Sequence, residues 1–249
     1  MIGSKKVIGI LGVAAAVAMA SATLAAPAQL KFVNTDAWGQ KAAGDTRGGG
    51  PFEVTPINQG DVQGLGTNGA AAGNYLSFCV ELNEHIGRAT YNADQNTEAI
   101  NGGVGGGNPD PLDARTAFLF TAFQKGTLAS KLDDAGGAGP GTFTIGDGAS
   151  GTALQEAIWV IEQEIDVSTV SSTLATDILS LADAAVAQGG EWFGKGIGNV
   201  RILNLTDVNT GENKQDQLIL IPLPVPAMLG LVGLMGIAGI SYKRRLALA

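Results

Sequence analysis

The chain has 249 residues, 45% of them hydrophobic and only 15% charged, with 37 glycines and a formal net charge of −8. Five of its 15 basic residues stand at the two ends (Lys5, Lys6, Lys243, Arg244 and Arg245), leaving 10 Lys+Arg against 23 Asp+Glu, a net of −13, and so acidic a surface excludes a nucleic-acid partner. One cysteine, Cys79, excludes an intramolecular disulfide framework and a thiolate metal cluster, one histidine, His85, leaves little for a zinc site, and no metal or cofactor is expected.

Residues 1–28 read as a secretory signal peptide. Lys5 and Lys6 form a basic start, residues 7–18 an apolar centre, and Ala20-Ser21-Ala22 the better of two small-residue cleavage sites, ahead of Ala26-Pro27-Ala28. The apolar centre is too short and alanine-rich for a retained anchor.

After the signal come strand-like runs at 29–34, 52–57, 76–82 and 88–92, and further on at 143–145, 200–205 and 217–221. Three stretches have helical spacing. The first is 111–132, opened by Pro111, with Ala114, Ala117, Phe118, Leu119, Ala122 and Phe123 on a broad apolar face. The second is 153–165, whose Leu154, Ile158, Ile161 and Ile165 make one stripe, with Thr152 as the expected N-cap. The third is 172–188, closed by Gly189-Gly190. Residues 102–107 and 136–151 are glycine-rich loops, and Asn209-Thr210-Gly211 signals a hairpin turn. Asp207, Asn209 and Asn213 only echo a calcium loop, for the glycine is misplaced and no closing glutamate follows. Strands, then helices, then strands predict an α+β domain over 29–220: an antiparallel β-sandwich or barrel with an inserted helical region.

Residues 221–249 carry Pro222-Leu223-Pro224, a charge-free run over 228–240, and the basic cluster Lys243, Arg244 and Arg245. The run is slightly short for a relaxed transmembrane helix, and the cluster behind it fits the positive-inside rule, leaving the bulk of the chain outside. The segment resembles a PEP-CTERM sorting signal in its VPLPA-like variant, although the usual Pro-Glu-Pro is missing. That resemblance implies a Gram-negative host and an exosortase-type sorting protease as partner. It also implies transient membrane anchoring through a C-terminal hydrophobic sorting helix, and delivery to the cell surface or extracellular matrix. A plain single-pass tail anchor is the other reading of the same residues.

Cys79 lies in Phe78-Cys79-Val80-Glu81 on a predicted strand, and Gln155 follows in Leu154-Gln155-Glu156-Ala157-Ile158-Trp159 at a predicted helix start. With Thr152 as N-cap, Gln155 falls in the first turn, where unpaired backbone N–H groups and the helix dipole can polarise its carbonyl. A thiolate held against that carboxamide can displace ammonia and leave a Cys–Gln thioester. Plainer readings stand beside this one. Cys79 can be an inert core residue, Gln155 the far end of a Thr152-x-x-Gln capping box, and Trp159 with the isoleucine stripe plain core. A cysteine protease would need His85 as its base.

The two motifs resemble those of the thioester domain (TQXA-type) family of bacterial surface adhesins, and the resemblance extends over about residues 30–220. The helix around Ala114–Phe123 is similar to the one between the motifs, and Gln215-Asp216-Gln217-Leu218 to a closing strand. The resemblance implies an internal thioester between Cys79 and Gln155, with Phe78, Glu81, Ala157 and Trp159 supporting it. It implies no enzymatic turnover but one covalent attachment to an amine or hydroxyl of an unknown surface or matrix ligand. Leu154 stands where many members carry threonine. The rivals are a structural biofilm or matrix protein of the same fold without the bond, and a hydrolase using Cys79 and His85.

Overall fold

Strand β1 (Ala28–Asn34) alternates as its sequence does: Ala28, Leu30 and Phe32 are buried while Lys31 is exposed. The computed structural model describes residues 28–34, 37–38, 49–58, 70, 73–100, 103–135, 142–170 and 172–221. Within them, β2 (Phe52–Asn58), β3 (Tyr75–Ser77), β4 (Thr90–Asn96), β7 (Val200–Asp207) and β8 (Asn213–Leu220) join β1 in one antiparallel sheet of order β3-β2-β1-β4-β7-β8. Two short strands, β5 (Glu98–Ala99) and β6 (Asp110–Pro111), pair separately.

The two faces of the sheet bury different cores. Leu30, Phe32, Val54, Tyr75, Tyr91, Leu203 and Ile219 fill one. The next residues along the same strands, Leu76, Ile202 and Leu218 among them, fill the other together with the helices. Beyond Ser77 the chain leaves β2 and runs along β8, with Leu218 N donating to Phe78 O (3.0 Å) and Val80 N to Asp216 O (3.1 Å) around a single Cys79–Gln217 bridge. The first and last strands of the sheet therefore touch. One bridge is too little to close a barrel, so the sheet curls without closing.

The helical region lies between β6 and β7, as expected of an insertion. The single helix expected over 111–132 is two, α1 (Ala114–Gln124) and α2 (Leu128–Asp134), because Gly126 takes φ +67 and ends the first. Pro111 lies in β6, and α1 starts from Asp113, whose Oδ1 accepts from Arg115 N at 2.8 Å. Helix α3 (Gly148–Ile161) stops before Ile165 in a Schellman turn: Gln163 sits at φ +65, Glu164 N donates to Trp159 O (2.7 Å) and Gln163 N to Val160 O (3.2 Å). Helix α4 (Thr173–Val186) is capped by Ser172.

Other sequence expectations shift. Residues 143–145 form no strand; Phe143 is buried in a loop against Trp38, centroids 6.2 Å apart. The strand expected over 88–92 runs over β4, and that over 76–82 is cut to β3 and the bridge. The β7–β8 hairpin turns at Gly211, φ +71, as its sequence indicated. Among the described residues, no helix is long and apolar enough to cross a membrane. The signal segment up to residue 27 and the sorting segment from Pro222 lie outside the described residues.

Candidate functional site

The site is built by α3, the loop before β2 and the continuation of β3. Asp147 is the N-cap of α3, its Oδ2 accepting from Ser150 N at 2.8 Å, so Thr152 lies inside the helix and caps nothing. Gln155 stands two turns in, which corrects the expectation that it borrows donors from the helix N-terminus, and equally the capping-box reading.

Its donors come from elsewhere. Gln155 Oε1 accepts from Gly50 N (3.0 Å), Cys79 N (3.1 Å) and Cys79 Sγ (3.1 Å), while Gln155 Nε2 donates to Cys79 O (2.8 Å). The sheet explains why those groups are free to do so. The β2–β3 ladder pairs Phe52 with Ser77, and continuing that register would oppose Gly50 to Cys79. On the other side of Cys79, the bonds to β8 are made by Phe78 and Val80, so Cys79 keeps its own N–H and C=O. Where the two strands part, the Gln155 carboxamide takes the place of a backbone peptide and pairs with both.

Glycine is required at that parting. A Cβ on Gly49 would lie 2.2 Å from Gln155 Cγ and 2.8 Å from Trp159 Cη2, and one on Gly50 would lie 2.9 Å from Ser77 O. Gly49 and Gly50 escape sequence reasoning that starts from reactive side chains. The run Gly48-Gly49-Gly50-Pro51 is the signal that points to a close backbone approach.

The pair is sealed from solvent, with Cys79 at 0% and Gln155 at 1% exposure. Burial pushes the Cys79 thiol well up; the backbone N–H groups of Gly50 and Cys79 pull against it, and the charges of Glu81 and Glu164 add to it. Two backbone N–H groups converge on one carbonyl oxygen in a dry site, an arrangement able to stabilise an oxyanion there.

The other residues singled out in the two motifs lie on the same two segments as this pair. Phe78 points to the helices and meets Phe123 edge-on, centroids 5.0 Å apart. Ala157 is fully buried two residues beyond Gln155, in the core on the helix side, and Trp159 inserts from α3 into the core that holds Cys79. Glu81 is buried, accepting from Asp216 N with Oε2 (3.2 Å) and from Gln215 Nε2 with its backbone oxygen (2.7 Å). His85 is exposed on the following loop, whereas the thiol is buried with Gln155 as its partner. Sorting residues Pro222, Leu223, Pro224, Lys243, Arg244 and Arg245 lie outside the described residues.

Sequence reasoning also missed Glu164, the acid that ties the neighbouring loops down. Its Oε2 accepts from Leu82 N (2.8 Å) and Val104 N (3.0 Å). A separate cavity of about 250 Å³, lined by Phe118, Lys125, Lys131, Trp192 and Lys195 among others, shares no residue with the Cys79–Gln155 pair.

No family model, no curated protein and no solved structure matches the chain.

Proposed function

We propose that the chain is a secreted, surface-sorted protein that forms an internal Cys79–Gln155 thioester and uses it once, to attach covalently to an amine or hydroxyl on a surface or matrix ligand. The observation that carries the proposal is the seating of Gln155 Oε1 between Gly50 N and Cys79 N with Cys79 Sγ at 3.1 Å. Sulfur attacks Cδ, and the oxyanion that forms keeps the two N–H donors already on the carbonyl. The C–N bond breaks, the thiol proton goes to nitrogen, and ammonia leaves. An amine later attacks the same carbon, the C–S bond breaks, and the amine proton returns to sulfur, leaving an amide and a free thiol. Holding both partners in contact supplies most of the drive, since effective molarities for such pairs reach about 10⁵–10⁸ M. Burial keeps water from the stored acyl group.

Secretion, exosortase sorting and passage through the membrane belong to the same proposal and rest on the two terminal segments. The structural rival, a matrix protein of this fold without the bond, is favoured by the burial that keeps the Cys79 thiol protonated. Intact mass of the purified protein separates the two. The proposal expects a mass one ammonia below that of the processed chain, the full mass in Cys79→Ala and Gln155→Ala, and an adduct after methylamine. An undiminished wild-type mass with a titratable thiol would overturn it.

A further inference from the structure

Gln217 is fully buried, and neither its Oε1 nor its Nε2 has a hydrogen-bond partner. A buried carboxamide unpaired at both ends is rare in a folded protein and calls for an explanation. Its position supplies one. Gln217 stands opposite Cys79 across the single bridge that joins the two ends of the sheet. The flanking bonds, Leu218 N to Phe78 O and Val80 N to Asp216 O, make this a non-hydrogen-bonded pair, the closer of the two antiparallel types, with side chains on one face. The cores agree: Cys79, Leu203 (the β7 partner of Gln217) and Ile219 share one core, while Phe78, Val80 and Leu218 share the other, on the helix side. The unpaired amide thus lies beside the Cys79 side chain, on the strand opposite, among apolar neighbours.

We infer that Gln217 is a third member of the reacting set: its Nε2 donates to the Cys79 sulfur when that atom carries negative charge. The inference rests on the thioester reading. Charge gathers on sulfur in both directions of the chemistry, first as sulfur attacks the Gln155 carbon and again as the C–S bond breaks under an incoming amine. Gly50 N and Cys79 N serve the carbonyl oxygen, so without Gln217 the sulfur would lack a side-chain donor from β8. In the resting thiol the Gln217 amide does not bond sulfur, so it turns onto that atom as the charge appears, and the dry site makes the charge-assisted bond strong. The carbonyl end of Gln217 is left to hold an N–H of the ammonia that leaves or the amine that enters.

Gln217→Met and Gln217→Leu keep most of the volume and remove both polar ends. Intact mass, the rate of methylamine uptake and thermal unfolding are measured on the purified wild type and on both variants. Removing an unpaired polar group leaves the fold at least as stable, while losing a hydrogen bond to a charged atom slows uptake on the order of tenfold or more. Slower uptake at an unchanged or higher Tm supports the inference. A wild type that is one ammonia light, with variants that take up methylamine at the wild-type rate, overturns it and leaves the thioester standing. Variants that lose the bond together with thermal stability give Gln217 a packing role only and also overturn it. A wild type of full mass overturns both readings together.

Discussion

Two sets of buried polar groups meet around the strand that carries Cys79, and backbone N–H groups serve them in opposite ways. On one side are acids. Glu164 accepts from Leu82 N and Val104 N; Asp216 accepts from Ile100 N (3.0 Å), Asn204 Nδ2 (2.7 Å) and Leu205 N (3.2 Å). Those donors face groups able to carry full charge at rest, so they stabilise the folded ground state and pin loops to strands. On the other side, Gly50 N and Cys79 N face a neutral carboxamide oxygen. In the proposed thioester chemistry that oxygen gains charge only while the carbon beside it is under attack, so the same kind of donor there would favour a transition state. The device is common to both; the charge of the acceptor at rest decides whether it anchors or activates.

The largest effect that separates the two comes from Gly49→Ala. Its new Cβ would overlap Gln155 Cγ and crowd Trp159, and overpacking of this kind costs about 1–3 kcal/mol. The Gln155 carboxamide must shift away from Gly50 N, so the ammonia-light form disappears from the intact mass as stability falls. Glu164→Gln should do the reverse. It loosens the loops by about 1–3 kcal/mol in thermal or denaturant unfolding and leaves the Cys79–Gln155 bond able to form. If Glu164→Gln abolished the bond while Gly49→Ala retained it, the division between anchoring and activating donors would fail.

The acids alone should set the pH dependence of stability. Burial, reinforced by the nearby charges of Asp113 and Asp110, pushes the Glu162 carboxyl up to about 8, and burial raises Asp216 to about 6. Burial and the charge of Asp216 raise Glu81 as well. In the unfolded chain these carboxyls titrate near about 4. Between those values the folded state binds more protons than the unfolded, so stability falls as pH rises from about 4.5 to about 8. The slope reaches about 1.4 kcal/mol per pH unit for each such group. Tm followed from pH 5 to 8 checks the direction, and Glu162→Gln should flatten the curve.

The contact between Cys79 and Gln155 was legible in the sequence because residue type and local context mark both: one cysteine in Phe-Cys-Val-Glu and a glutamine in an apolar helix motif. The groups that hold the two together were not. Gly50 N and Cys79 N reach Gln155 only because two strands part at Ser77, and no period in the sequence records where a ladder ends. β1 was visible by its alternation and β7 by its apolar residues; the 76–82 run was cut short by the same parting. Helix α3 began five residues earlier than its stripe suggested. Gly148-Ala149-Ser150-Gly151 reads as loop by propensity, yet Gly151 lets the helix approach Pro51, where a Cβ would come within 2.8 Å of Cδ. Packing overrode propensity there and moved Gln155 away from the helix end.

That displacement gives the smallest of the expected effects, and it discriminates well. If the helix start polarised the Gln155 carbonyl, weakening that start would weaken bond formation. The cap, however, is Asp147, which holds Ser150 N and Oγ two turns before the glutamine. Asp147→Ala should therefore cost about 1 kcal/mol, the usual worth of an N-cap, and lower Tm by about 2–4 °C for a chain of this size. Thr152→Ala, at a half-buried position inside α3, should change stability by no more than about 0.5 kcal/mol, where a true capping threonine would have cost as much as Asp147. Both variants should keep the ammonia-light mass, because the donors on Gln155 Oε1 come from β2's approach and from Cys79 itself. Loss of the bond in Asp147→Ala would return the activating role to the helix end and take it from Gly50 and Cys79.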